Sequence, residues 1–111
     1  MHADDLTDFD LIAVLDGDHA RVMITGDLDI NSAPRLISTM QDLTAPPIRR
    51  IDLDCQGVTF LDSAGVRSLI VIRSETARAD VDLLLVEPSM AVSRVMEMTG
   101  LTGLLTGGGP F

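Results

Sequence analysis

The stretch from Arg49 to Val86, RRIDLDCQGVTFLDSAGVRSLIVIRSETARADVDLLLV, changes its periodicity twice along its length. Its first part alternates apolar and polar residues, with Ile51, Leu53 and Cys55 on one face, and leads through Gly57 to Val58 and Phe60. That is a strand pattern, read as the central strand of a sheet. From Ala64 to Ala79 Gly and Pro occur only in the first turn, and Val66, Leu69, Ile70 and Ala77 form a helical stripe thickened by Val71 and Ile72. VDLLLV is then too continuously apolar for a half-exposed strand. It predicts an interior strand parallel to the first, with the helix between them as a right-handed crossover. A strand, helix and strand in this order restrict the chain to an α/β architecture.

The remaining segments extend that unit on both sides. FDLIAVL and HARVMIT, residues 9 to 15 and 19 to 25, read as two strands, and Asp16-Gly17-Asp18 between them suits a tight antiparallel hairpin. After GDLDINSAP, Asn31 or Ser32 can cap a helix that accepts Pro34 in its first turn. Leu36, Ile37, Met40 and Leu43 recur at helical spacing there, and Pro46-Pro47 closes the segment. A last helix starts at Ser89 after Pro88, buries Val92, Val95 and Met96, and stops at Gly100, with Leu101 placed for the contact that accompanies such a stop. The predicted order is β-β-α-β-α-β-α: a small mixed sheet of about four strands flanked by helices. One domain is expected over residues 1–111, with a core at about 9–105, an acidic segment at 1–8 and a Gly-rich tail at 106–111.

Charge narrows the partners. Seventeen Asp and Glu against eight basic residues give a net charge of −9, which repels a phosphate backbone, so direct nucleic-acid binding is not expected. The longest apolar runs are far short of the roughly 20 residues a membrane span needs. With no basic or apolar leader in MHADDLTD, a cytoplasmic location is expected. The single cysteine, Cys55, reads as an inert core thiol.

Catalytic signatures fail on inspection. Leu61 stands where a nucleophile elbow around Ser63 needs Gly, and the two histidines, His2 and His19, lie in the acidic terminus and beside the hairpin turn. DLDINS opens like a calcium loop, yet Ser32 replaces the turn Gly and Ser38 the closing Glu. No Cys or His spacing suits zinc, and no Gly-rich run suits a phosphate loop, so neither a metal nor a cofactor is expected. Met90, Met96 and Met98 read as core filler and helix surface, and Arg49 and Arg50 as solvent-facing residues.

What remains is LDSAG, where Asp62 or Ser63 can cap the following helix. A hydroxyl at a helix N-terminus has a second property: a phosphate attached there sits near unpaired donors and the positive end of the dipole.

GDLD (26–29), RRIDLDCQGVTFLDSAGVRSL (49–69) and VMEMTGL (95–101) resemble the anti-sigma factor antagonists, single-domain members of the STAS class. The likeness covers nearly the whole chain. It implies a non-enzymatic switch that binds an anti-sigma factor, often a serine kinase using ATP, so that a sigma factor is released. Phosphorylation of the serine after the motif's Asp reverses the association, and a phosphatase would reset it. By this resemblance Ser63 is the acceptor, and Asp29, Asp62 and the first turn, Ala64, Gly65, Val66 and Arg67, form the partner-facing surface. Two positions depart from the family pattern. Ala64 replaces a frequent Ser or Thr, which leaves Ser63 as the only acceptor there, and Ala79-Asp80 stands where a Gly often precedes the strand. The resemblance also admits an alternative, since other relatives are subunits of lipid or anion transporters or scaffolds of stress-signalling complexes.

Overall fold

A computed structural model describes residues 9–100. The elements follow the expected order: β1 (Asp10–Asp16), β2 (His19–Leu28), α1 (Ala33–Leu43), β3 (Arg50–Leu61), α2 (Ser63–Arg78), β4 (Asp82–Val86) and α3 (Met90–Thr99). β1 and β2 pair antiparallel about Gly17-Asp18, and Gly17 takes a φ of 63° that a residue with a side chain would adopt only under strain. β3 runs parallel to both β2 and β4, so the sheet is mixed, in the order β1-β2-β3-β4.

Strand period places Ala20, Val22 and Ile24 of β2 beside Ile51, Leu53 and Cys55 of β3 and Leu83 and Leu85 of β4, all buried. Leu36 and Met40 of α1, Leu69 and Ile72 of α2, and Val92 and Met96 of α3 complete a single core. The opposite face of the sheet is polar at its centre, where Arg21 pairs with Asp54 at 2.7 Å, and Asp52 takes His19 at 3.0 Å and Arg50 at 2.9 Å. The alternation in RRIDLDC therefore has a structural meaning on both faces: apolar residues build the core, and the acids are matched by arginine and histidine side chains from neighbouring positions.

Two expectations are corrected. β4 is an edge strand, not an interior one. Its continuous apolar run arises because Leu84 and Val86 are half-buried on the face opposite Leu83 and Leu85. The buried stripe of α2 is Gly65, Ser68, Leu69, Ile72 and Thr76, whereas Ile70 and Ala77 are exposed. The stripe is rotated because Ser68 donates to the Gly65 carbonyl at 2.6 Å and Thr76 to the Ile72 carbonyl at 3.0 Å, so hydroxyl residues occupy core positions with their polar groups satisfied by the helix itself. Phe60 is half-exposed although Val58 is buried, where the β2–β3 register slips on either side of Gly26. The last helix fits its expected bounds, with Ser89 Oγ accepting from Val92 N at 3.2 Å and Gly100 as C-cap. The contact expected of Leu101, and the segments 1–8 and 106–111, lie outside the described residues.

Cys55 is buried, and burial, with the Asp54 charge second, pushes its thiol well above the usual range. All eight basic residues are Arg and there is no Tyr, so in the unfolded chain Cys55 is the one side chain expected to titrate between about pH 8 and 12. A thiol whose pKa is higher in the folded state stabilises fully below its unfolded pKa of about 8.5 and loses that contribution as pH rises beyond it. Stability is therefore expected to fall above that pH with a slope approaching about 1.4 kcal/mol per pH unit. Urea unfolding followed by circular dichroism should show this slope in the wild type and not in Cys55→Ala. An equal slope in both would contradict the assignment.

Candidate functional site

β2 and β3 run side by side, and their pairing ends at Leu28 opposite Leu61. Each strand is followed at once by an aspartate and then a helix, so Asp29 and Asp62 stand on one rim of the sheet. The Asp62 amide donates to the Leu28 carbonyl at 3.4 Å, which ties the two strand ends together.

Asp62 leaves the strand in extended geometry (φ −101°, ψ −171°) and N-caps α2, its Oδ1 accepting from Gly65 N at 2.9 Å while its carbonyl accepts from Val66 N at 2.9 Å. Of the two residues able to cap, it is Asp62 that does so. Ser63 becomes the first residue of the helix, and its side chain is exposed. Gly65, expected on the partner-facing surface, is instead buried. A Cβ there would strike the Leu28 carbonyl oxygen and lie 2.6 Å from Leu61 Cδ1, so this glycine lets α2 start directly against the end of β2. Val66 likewise packs toward the core, Ala64 is half-buried, and Arg67 is exposed.

Asp29 has a structural task as well. Its Oδ1 accepts from Asn31 N at 2.9 Å and Ser32 N at 3.1 Å, closing the turn into α1. Ser32 sits at the N-cap position without capping through its side chain. Its buried hydroxyl turns back, accepting from Asp29 N at 2.9 Å and donating to the Asp27 carbonyl at 2.7 Å. Neither Ser32 in this bridge nor the apolar residues beside the two acids were singled out from sequence. Ile30, next to Asp29, is 71% exposed, and Phe60, just before Leu61-Asp62, is 50% exposed. The only signal for Ile30 was an apolar residue stranded in a polar turn.

The rest of the molecule keeps its chemistry elsewhere. Among the described residues, the ion pairs involve Arg21, Arg35, Arg50, Arg78 and His19, and none involves Asp29 or Asp62. His19 pairs in register with Arg50 at the start of β3, so a strand of about 3.3 Å per residue separates it from Ser63 by roughly 30–40 Å. His19 cannot serve as a base for Ser63. An open cavity of about 580 Å³, lined by Asp18, Pro46, Pro47, Arg49 and Asp80 among others, also lies at that far end. Among the described residues no group of three or more His, Cys, Asp or Glu could hold a metal ion, and no helix is long and apolar enough to cross a membrane.

The cap makes a measurable prediction. Asp62→Ala should cost about 1 kcal/mol of stability, since the Gly65 N–H loses its acceptor, whereas Asp62→Asn keeps an oxygen there and should cost less than half as much. Urea midpoints of the two variants decide this. Equal losses would mean that the carboxylate charge, not the capping bond, supports the helix.

The fold has known relatives. The family described as STAS domain matches residues 11–107. The anti-sigma-B factor antagonist of Staphylococcus aureus is 25% identical over 84 residues, 76% of this chain and 78% of that protein. Among solved structures, an anti-sigma factor antagonist from Mycobacterium paratuberculosis superposes with a TM-score of 0.75 at 22% identity, covering 92% of this chain and 85% of that one. SpoIIAA in its unphosphorylated form gives 0.71 at 19% identity over 88% and 83% of the two chains. The phosphorylated form of Bacillus SpoIIAA gives 0.68 at 18% identity, over 86% of each. With the family pattern spanning both strand ends, both rim aspartates and the helix that Ser63 opens, this chain belongs to the STAS domain family.

Proposed function

We propose that the chain is an anti-sigma factor antagonist: unphosphorylated, it binds an anti-sigma factor and frees a sigma factor, and phosphorylation at Ser63 ends the association. The observation that carries the reading is the division of labour at the start of α2. Asp62 supplies the capping bond, so the exposed Ser63 hydroxyl is not needed to hold the helix and can be modified without unfolding it. The relatives named above support the same reading. They are antagonists, one of them solved with and without phosphorylation, and the transporter-subunit alternative gains nothing from them.

In this reading the partner is an anti-sigma factor with serine-kinase activity, and a phosphatase restores the serine. Asp29, Asp62, Ala64 and Arg67 form the contact surface around Ser63, with Gly65 and Val66 setting its shape from beneath. The chain performs no catalysis of its own and acts in the cytoplasm, where sigma factors work. The test is a release assay with a co-encoded anti-sigma and sigma pair. Adding this chain to the preformed complex should liberate the sigma factor, and prior incubation with kinase and Mg-ATP should abolish release for the wild type but not for Ser63→Ala. Failure to release any sigma factor would refute the proposal.

A further inference from the structure

The exposed edge of the sheet farthest from β4 lacks the usual protections. Natural edge strands are shortened, bulged, or interrupted by Pro or Lys, because a row of unpaired backbone groups recruits another strand. β4, one edge, is five residues long. β1, the other, runs seven residues, pairs with β2 without a register shift, and carries five consecutive apolar residues from Leu11 to Leu15 between Asp10 and Asp16. Ile12 is 53%, Val14 51% and Leu15 60% exposed, so apolar surface is open on both faces of the strand.

The hairpin fixes which backbone groups face outward. Asp16 and His19 close a two-residue turn as a hydrogen-bonded pair, so Val14 and Ile12 also bond to β2, while Leu11, Ala13 and Leu15 direct their N–H and C=O groups away from it. The Leu11 N–H is already taken by Asp10 Oδ1 at 2.9 Å, so the outward donors left for a partner are those of Ala13 and Leu15. Among the described residues β1 has one neighbour, β2.

We propose that the β1 edge is a strand-addition site for an extended segment of another protein, apolar over about five residues and basic at its ends. Charge selects this occupant over a second copy of the chain. Pairing β1 with itself about Ala13 would set Asp10 opposite Asp16 at both ends and bring together two molecules of net charge −9. Basic flanks instead meet Asp16 with Asp18 at one end and, more weakly, Asp10 at the other, where Arg35 stands 3.9 Å from the carboxylate. The site lies on β1, two strands away from β3, and does not include Ser63.

The test uses the full chain, labelled with ¹⁵N, and a blocked seven-residue peptide of alternating Val and Ala with Arg at each end. Binding should slow amide exchange at Ala13 and Leu15, leave Ile12 and Val14 as slow as before, weaken with salt, and be about tenfold tighter than for the same peptide ending in Glu. Ala13→Pro, which removes an outward donor that β2 does not use, should abolish binding, and Val14→Lys, on an exposed position, should weaken it about tenfold by charge. No binding at ~1 mM peptide would overturn the proposal. So would binding without protection of Ala13 and Leu15, or amides already protected in the free protein, whether by a second copy or by the chain's own ends.

Discussion

Gly65→Ala should lower the stability of the fold by about 2–3 kcal/mol, although alanine is the better helix former by about 1 kcal/mol. The added methyl meets the carbonyl oxygen of Leu28, a backbone atom at the end of β2 that cannot rotate aside, and Leu61 Cδ1 at 2.6 Å. Relief requires the first turn of α2 to lift from the strand, and that turn holds the Asp62 cap and Ser63. The packing cost therefore exceeds the propensity gain, and the surface proposed for the partner is displaced with the helix. Urea unfolding by circular dichroism suits a chain with neither Trp nor Tyr. Ser74→Ala, exposed on the same helix, should stay within about 0.5 kcal/mol of wild type as a control. If Gly65→Ala were as stable as wild type, α2 would not be seated on β2 as described.

Ser63→Asp should act the opposite way, sparing the fold and losing the partner. A carboxylate in the first helical turn is favourable by about 0.3–1 kcal/mol, so the melting temperature should hardly change. In the complex the new charge stands roughly 6 Å from the Asp62 carboxylate, and at an effective dielectric near 20 their repulsion is about 3 kcal/mol. Water screens much of this in the free protein but not beneath a partner. The dissociation constant should rise by about 10–100-fold, and for phosphoserine, with about two charges, by about a thousandfold or more. Calorimetric titration against the anti-sigma factor measures both. Equal affinity for wild type and Ser63→Asp would contradict a charge-based switch.

The strand, helix and strand from Arg49 to Val86 were legible because each element carries its own period, and the hairpin because Gly17-Asp18 permits only a few turns. Resemblance pointed to Ser63. Physics alone could not choose between Asp62 and Ser63 as the cap, since both can accept from an N–H, and the choice rests on which residue ends β3 in extended geometry. The buried face of α2 was misread by counting apolar residues, because Ser68 and Thr76 satisfy their hydroxyls within the helix and so pass as core. The position of β4 at the sheet edge was hidden for another reason: strand order is a property of the assembled sheet and leaves no mark on the local pattern. Gly65 was placed at the surface because its motif lies there, whereas its lack of a side chain serves the contact with Leu28.

The central claim is that Ser63 is the atom that switches the protein. Its most direct test is intact mass after incubation with a co-encoded anti-sigma kinase and Mg-ATP, with Ser63→Ala alongside. The account predicts one added phosphoryl group in the wild type and none in the variant. No addition to the wild type, or equal addition to both, would contradict it and leave Ser63 as no more than the first residue of α2.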